Sequence, residues 1–175
     1  MSKKRAGKAL GVALAIPALL MCTSGSASAK DNIRWTNEAT DGCLAAFPTK
    51  NGGFTVKTVV PNYMKGFRCG TGLDNTEKMW ADTQDNLENP DGAWAQHPMA
   101  NKGYCLAMWP DGPEQGHVYL EPCSSPVNYY QQWYENWDGK KFNLVNRQTG
   151  MCLDSNGDGD VYALKCNGGD YQRWR

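Results

Sequence analysis

The sequence lacks the residue patterns that mark several classes of protein. Only two histidines occur among its 175 residues, and no Gly-x-Ser-x-Gly motif or zinc-type histidine spacing is present. Beyond the first 29 residues, lysine and arginine form no cluster and no apolar run approaches the roughly 20 residues that cross a bilayer. No stretch of useful length has a helical period. We therefore expect no catalysis, no cofactor, no nucleic-acid partner and no membrane insertion of the mature chain.

The first 29 residues have the pattern of a secretory signal peptide. Four basic residues within the first eight positions precede an apolar run over residues 9–21, and small residues lead to Ala29. The alternative is a lipoprotein signal that uses Cys22, which the bulky Met21 fits poorly. We therefore predict cleavage after Ala29 and a secreted, extracellular domain over residues 30–175, with 14 basic and 18 acidic residues.

What the chain does contain is an internal repeat. A glycine stands at or just ahead of a Cys-Leu pair three times, beginning at Cys43, Cys105 and Cys152, and two copies continue to a Gln-x-Trp motif that ends at Trp133 or Trp174. In the first copy Lys78-Met79-Trp80 takes that place. Self-similar segments of about 40 residues cannot bury their apolar faces alone and pack around a shared core. The predicted repeats cover about 31–80, 92–133 and 134–175.

Each repeat contains alternating segments that predict β-strands. A polar, turn-rich run from Ala81 to Gly92 is predicted to connect the first two repeats. The predicted strands are Ile33–Asn37, Cys43–Ala45, Phe54–Val60, Trp94–Ala100, Tyr104–Met108, His117–Cys123, Phe142–Asn146, Cys152–Asp154 and Asp160–Cys166.

Removal of the leader leaves six cysteines, an even set that suits an oxidising compartment. Six cysteines permit 15 pairings. If each repeat closes on itself, the disulfides are Cys43–Cys69, Cys105–Cys123 and Cys152–Cys166.

These repeats resemble the ricin B-type lectin family, an all-β β-trefoil of three four-stranded units. The resemblance covers Asp31 to Arg175 and rests on the Cys-Leu pairs, the Gln-x-Trp motifs and the three matching disulfides. In that family the tryptophan of Gln-x-Trp is a core residue. The resemblance therefore implies that Trp80, Trp133 and Trp174 meet near a pseudo-threefold axis.

The family's sugar site uses an aspartate after Cys-Leu, an aromatic residue before the strand-end cysteine and a polar residue before Gln-x-Trp. The carboxylate accepts hydrogen bonds from sugar hydroxyls while the ring stacks on the sugar's C–H face. In the third unit Asp154 keeps the aspartate, whereas Leu164 and Tyr171 occupy the other two positions, and Gln172 follows. Tyr162 shares a strand face with Leu164 and is predicted as a displaced stacking platform. These five residues form the predicted carbohydrate site.

The other two units depart further from the family pattern. In the second unit the three positions hold Ala107, Glu121 and Tyr130, and the candidates for a different site are Trp109, Asp111 and Tyr119. In the first unit they hold Ala45, Val59 and Glu77, which predicts an inactive pocket.

The segment Asp154–Asp160 copies the opening of a calcium-binding EF-hand loop. Its twelfth position is Lys165 instead of glutamate, and an Asp/Asn/Gly-rich hairpin turn explains the same residues, so no metal is predicted.

The sequence therefore predicts a secreted, non-enzymatic carbohydrate-binding protein whose partner is a glycan or polysaccharide. The alternative is a β-trefoil that binds an extracellular protein, with eroded sugar pockets. In that case the contacts would come from exposed aromatic residues or from the Ala81–Gly92 connector.

Overall fold

The regular structure in the described part of this chain is mainly β-strand. The computed structural model describes residues 30–59, 69, 76–83, 92–110, 116–125 and 128–175, so the predicted signal peptide lies outside the described residues. No helix in the described part has the length and apolar character to cross a bilayer. The described strands are β1 (Lys30–Ile33), β2 (Cys43–Pro48), β3 (Phe54–Val59), β4 (Trp80–Thr83), β5 (Ala93–Pro98), β6 (Tyr104–Pro110), β7 (Gly116–Pro122), β8 (Gln132–Asp138), β9 (Lys141–Asn146), β10 (Met151–Ser155) and β11 (Val161–Lys165). Short 3-10 turns cover Thr76–Lys78, Tyr129–Gln131 and Asp170–Gln172.

Each unit contributes one antiparallel hairpin, formed by β2–β3, β6–β7 and β10–β11. The leucine of each Cys-Leu pair is fully buried in the core, and the residue beyond it lies on the opposite, outer face because strand side chains alternate. The hairpins of the second and third units join edge to edge, since β7 also pairs with β11. The candidate sites lie on this outer face.

The remaining strands form a closed ring. β1, β4, β5, β8 and β9 are paired in that order. The C-terminal residues complete the ring: Trp174 exchanges two backbone hydrogen bonds of 2.9 Å with Phe142, and the Thr36 N–H donates to the Arg175 carbonyl at 2.9 Å. A closed ring with one hairpin from each of three units is a β-trefoil, which confirms the predicted all-β fold.

The tryptophans that end the three units share one core and make the same bond. Each is fully buried within a single apolar cluster. Each indole Nε1–H donates to the carbonyl of the leucine in its own Cys-Leu pair, which fastens the end of the unit to its hairpin. The pairs are Trp80 to Leu44 at 3.0 Å, Trp133 to Leu106 at 2.8 Å and Trp174 to Leu153 at 3.2 Å.

The three disulfides join the cysteines that were predicted. Cys43–Cys69, Cys105–Cys123 and Cys152–Cys166 have Cα–Cα separations of 5.1, 5.0 and 5.0 Å. Each one closes a loop within its own unit, so these three disulfides do not link one hairpin to another.

Some predicted boundaries were wrong. The connector placed at Ala81–Gly92 begins later, because Trp80–Thr83 forms β4, whose polar residues are accommodated by backbone pairing to β1 and β5 on both sides. The strand placed at Ile33–Asn37 is displaced: β1 ends at Ile33, while Asn37 forms an isolated bridge to Trp174 as the ring closes. β8 was not predicted beyond its Gln-x-Trp start. Other strand ends differ by one to three residues.

Replacement of Trp133 by alanine should lower the free energy of unfolding by about 3–5 kcal/mol, because it opens a cavity and leaves the Leu106 carbonyl without its donor. Chemical denaturation measures this loss. The matched control is Trp109→Ala, since Trp109 is 50% exposed and its loss should cost about 1 kcal/mol or less. Equal destabilisation by the two substitutions would contradict the structural role of Trp133.

Candidate functional site

Asp154 lies at the centre of the third unit's outer face. Strand alternation points Leu153 into the core and Asp154 away from it, and the β10–β11 register sets Asp154 directly opposite Tyr162. Asp154 is nevertheless only 3% exposed, because neighbouring side chains cover it. A covered carboxylate on an outer face needs hydrogen-bond partners, and the structure supplies them.

Gln172 holds the Asp154 carboxylate in place. Its Nε2 donates to Asp154 Oδ2 at 2.8 Å and to the Lys165 carbonyl at 3.2 Å, while its Oε1 accepts from the Asn167 N–H at 2.9 Å. Both ends of this fully buried amide are therefore used, which fixes its orientation. The glutamine of Gln-x-Trp thus orients the acid that lies 18 residues before it.

Burial raises the pKa of Asp154 above its ordinary value, and hydrogen bonds from Gln172 and the Ser155 backbone oppose that rise. Burial and the adjacent Asp154 carboxylate raise the pKa of Tyr162, so that phenol stays protonated. A carboxylate has about four lone-pair sites. The donors on Gln172 and the Ser155 backbone leave Asp154 with capacity for a further hydroxyl group.

The other predicted residues of the third unit surround this acid. Tyr162 is half-buried, and its hydroxyl donates to the Ser155 carbonyl at 3.4 Å. Tyr171 lies in the 3-10 turn just before Gln172 and is 47% exposed. Leu164 lies opposite Cys152, beside the disulfide. The structure therefore brings these residues together, and their contact with a sugar remains a prediction.

The loop after Asp154 is a hairpin turn organised by one amide. Asn156 Oδ1 accepts from the backbone N–H groups of Asp158 at 3.0 Å and Asp160 at 2.9 Å. The carboxylate of Asp160 pairs with Lys57, whereas that of Asp154 bonds to Gln172. Asp154 and Asp160 thus bond to different side chains.

The second unit supplies its carboxylate from the neighbouring strand. Ala107 occupies the aspartate position, and the equivalent glutamine, Gln131, instead donates to Glu121 Oε1 at 2.6 Å. Asn128 Nδ2 donates to the same oxygen at 3.2 Å. Glu121 on β7 thus gives Gln131 the carboxylate acceptor that Asp154 on β10 gives Gln172 in the third unit.

This function of Glu121 was missed in the sequence, where it was noted as a replacement for an aromatic residue and, with Glu114, as a glycosidase pair that no sequence feature supports. A usable signal existed. Gln131 keeps the motif glutamine while Ala107 removes its acceptor, and Glu121 lies two residues before the strand-end cysteine on the same hairpin. A buried amide without its acceptor predicts a substitute nearby.

Aromatic side chains share the outer face with Glu121. The rings of Trp109 and Tyr130 lie 4.9 Å apart between centroids, and those of His117 and Tyr119 lie 5.4 Å apart. Two of the three candidates predicted here, Trp109 and Tyr119, therefore belong to the same surface. The third, Asp111, lies outside the described residues.

The described residues of the first unit form neither arrangement. Ala45 lies opposite Lys57, Val59 lies opposite Cys43, and Lys78 is buried where the other units have glutamine. Burial and the nearby Arg34 lower the pKa of Lys78. This unit thus lacks the glutamine–carboxylate pair.

The contacts of His97 indicate a structural role. It is buried, with Nε2 2.8 Å from Thr83 Oγ1 and Nδ1 3.0 Å from the Lys102 carbonyl. Nδ1 also lies 3.3 Å from Cys123 Sγ, but that sulfur belongs to a disulfide and is not a thiolate ligand.

Comparison with known proteins identifies a family. Residues 37–174 match the ricin-type beta-trefoil lectin domain. Three solved structures share the fold. ThreeFoil, a designed threefold-symmetric protein, is 19% identical over 81% of this chain and 94% of its own, with a TM-score of 0.61. SeviL, solved bound to asialo-GM1 saccharide, is 17% identical over 82% of this chain and 94% of its own, with a TM-score of 0.53. The hemolytic lectin CEL-III is 17% identical over 82% of this chain and 32% of its own, with a TM-score of 0.58.

The role of Glu121 as a substitute for an aspartate at position 107 can be tested by restoring that aspartate. Glu121→Leu should lower the free energy of unfolding by about 1–2 kcal/mol, because Gln131 and Asn128 lose an acceptor. Adding Ala107→Asp should recover part of that loss by recreating the third-unit arrangement. Ala107→Asp alone should destabilise the domain, because it sets a second carboxylate beside Glu121. Chemical denaturation of the three variants measures whether Ala107→Asp stabilises the Glu121→Leu variant but destabilises the wild-type protein. An equal effect of Ala107→Asp on both proteins would contradict the substitution of Glu121 for the missing aspartate.

Proposed function

Because its match to the family spans residues 37–174, this chain belongs to the ricin-type beta-trefoil lectins, and we propose that it binds carbohydrate through the third unit. The observation that carries the proposal is the Asp154 carboxylate, oriented by Gln172 and bordered by Tyr162 and Tyr171. This arrangement joins a hydrogen-bond acceptor for sugar hydroxyls to rings that can cover a sugar's C–H face.

The site suits a polar, uncharged ligand. Asp154 accepts hydrogen bonds from Gln172 and from the Ser155 backbone, so lone-pair sites remain for a sugar hydroxyl. Tyr171 is the exposed ring of the group. One solved relative of the fold, CEL-III, is a lectin by name, and another, SeviL, was solved with a saccharide bound.

We further propose that the protein is exported and acts without catalysis. The leader pattern of residues 1–29 and the three disulfides favour an oxidising compartment. Glu121, considered in the sequence as half of a glycosidase pair, accepts hydrogen bonds from Gln131 and Asn128. Glu114, the other half, lies outside the described residues.

A glycan array tests the proposal directly. The mature protein should bind a defined set of glycans, and Asp154→Ala should abolish that binding, because the oriented acceptor is lost while the core is unchanged. The matched control is Asp158→Ala, which removes an exposed aspartate from the adjacent turn and should bind normally.

The thermal unfolding of both variants establishes that each is folded. A blank array for the wild-type protein, or equal binding by Asp154→Ala, would contradict the proposal. A blank array together with a stable protein partner from the culture supernatant would favour the protein-binding alternative instead.

Binding should also depend on pH in a predictable direction. The ionised form of Asp154 accepts hydroxyl hydrogen bonds, and its pKa is raised chiefly by burial. As pH falls, affinity should therefore decline at a higher pH than the ordinary aspartate value of about 3.9 would give. Titration calorimetry across mildly acidic pH measures this decline. Asp154→Asn should bind weakly with a flat profile, and a wild-type affinity that stays constant down to pH of about 3.9 would refute a functional carboxylate.

A further inference from the structure

Four side chains lie in a line across the hairpins of the second and third units. Trp109 on β6 lies opposite His117 on β7, His117 lies opposite Tyr162 on β11, and Tyr162 lies opposite Asp154 on β10. Directly opposed residues of antiparallel strands point to the same face of a sheet. We call Trp109, His117, Tyr162 and Asp154 the cross-hairpin row.

The row lies on the outer face of the domain. Trp109 is 50% exposed, His117 is exposed and Tyr162 is half-buried. The next pair along β7 and β11, Gly116 and Ala163, points inward and is buried. A Cβ at Gly116 would lie 2.3 Å from Met108 Cε, so the inner side of these strands is tightly packed.

In both units a hydrogen-bond acceptor lies on the sheet face that carries the row. In the third unit the row ends at Asp154, held by Gln172, and in the second unit Glu121 is held by Gln131 on the same face of the hairpin. Further rings flank the Trp109 end, because Tyr130 lies 4.9 Å from Trp109 and Tyr119 lies 5.4 Å from His117. Stacking surfaces and acceptors thus continue from one unit into the next.

The surface beside the row is concave. A pocket of about 270 Å³ opens between β3 and β7, and its lining includes His117, Tyr119 and Lys57. Lys57 is paired with Asp160 across the junction of the first and third units. A ligand lying on the row would therefore also meet a depression at the junction of the three hairpins.

The dimensions of the row indicate the kind of ligand. Neighbouring strands lie about 4.8 Å apart, so three inter-strand steps span ~14 Å, which is longer than one sugar ring. Resting on the proposed function, we propose that the cross-hairpin row binds a neutral oligosaccharide or polysaccharide chain, several sugar units long, across the second and third units.

The chemistry of the row favours this ligand over others. Both carboxylates, Asp154 and Glu121, are hydrogen-bond acceptors that suit hydroxyl groups and repel an acidic chain. Rings spaced along the row can each cover one sugar of a chain. Occupation of a first subsite raises the effective concentration of the chain at the next, so affinity grows with length without any new pocket.

Ladders of neutral gluco-, galacto- and manno-oligosaccharides, from the monosaccharide to about six units, provide the probes. Titration calorimetry with the mature protein should show affinity rising at least about tenfold between the monosaccharide and the chain that spans the row, then levelling off. Trp109→Ala should reduce the affinity for long chains to that for short ones.

The matched control is Trp137→Ala, which removes a tryptophan of similar exposure, 54%, from β8. It should retain the full dependence on length. Asp154→Ala should abolish binding at every length.

The outcomes separate the two proposals. If the monosaccharide and the longest chain bind equally well, or if Trp109→Ala and Trp137→Ala behave alike, the extended row is refuted while third-unit sugar binding stands. If no ladder binds at any length, both proposals are refuted.

Discussion

The structure depends on one hydrogen bond that occurs three times. In each unit a buried indole N–H donates to the carbonyl of a leucine that begins the hairpin, at 2.8–3.2 Å. Each bond joins the core to the strand whose outer face carries the candidate site. Because the tryptophans share one apolar cluster, the three hairpins take fixed positions around it. The geometry of the candidate binding surface thus follows from the packing at the centre.

A second constraint acts on the outer face. The glutamine of Gln-x-Trp is buried in the second and third units, and its amide N–H groups require acceptors. Asp154 meets that requirement from β10, and Glu121 meets it from β7. In the first unit a buried lysine replaces the glutamine, and no carboxylate occupies either position. The two units that keep the glutamine are therefore the two that form acceptor sites.

Much of this could be predicted from sequence because repeat spacing is a local property. The Cys-Leu pairs identified the disulfides, and Asp154 with Gln172 followed from the motif positions. The β7–β11 register, which sets His117 opposite Tyr162, could not be predicted, because it depends on how two units pack together. β4 was missed for a related reason. Its polar residues resemble a loop in the sequence, but backbone pairing with β1 on one side and β5 on the other holds them in a strand.

The acceptor in each tryptophan bond is a backbone carbonyl, and this has an evolutionary consequence. A carbonyl is present whatever side chain the residue carries, so mutation on the outer face leaves the bond intact. Each hairpin can then acquire or lose specificity while its neighbours keep theirs. Laboratory diversification of the second-unit surface alone would exploit this freedom, with the remaining two units acting as an unaltered scaffold.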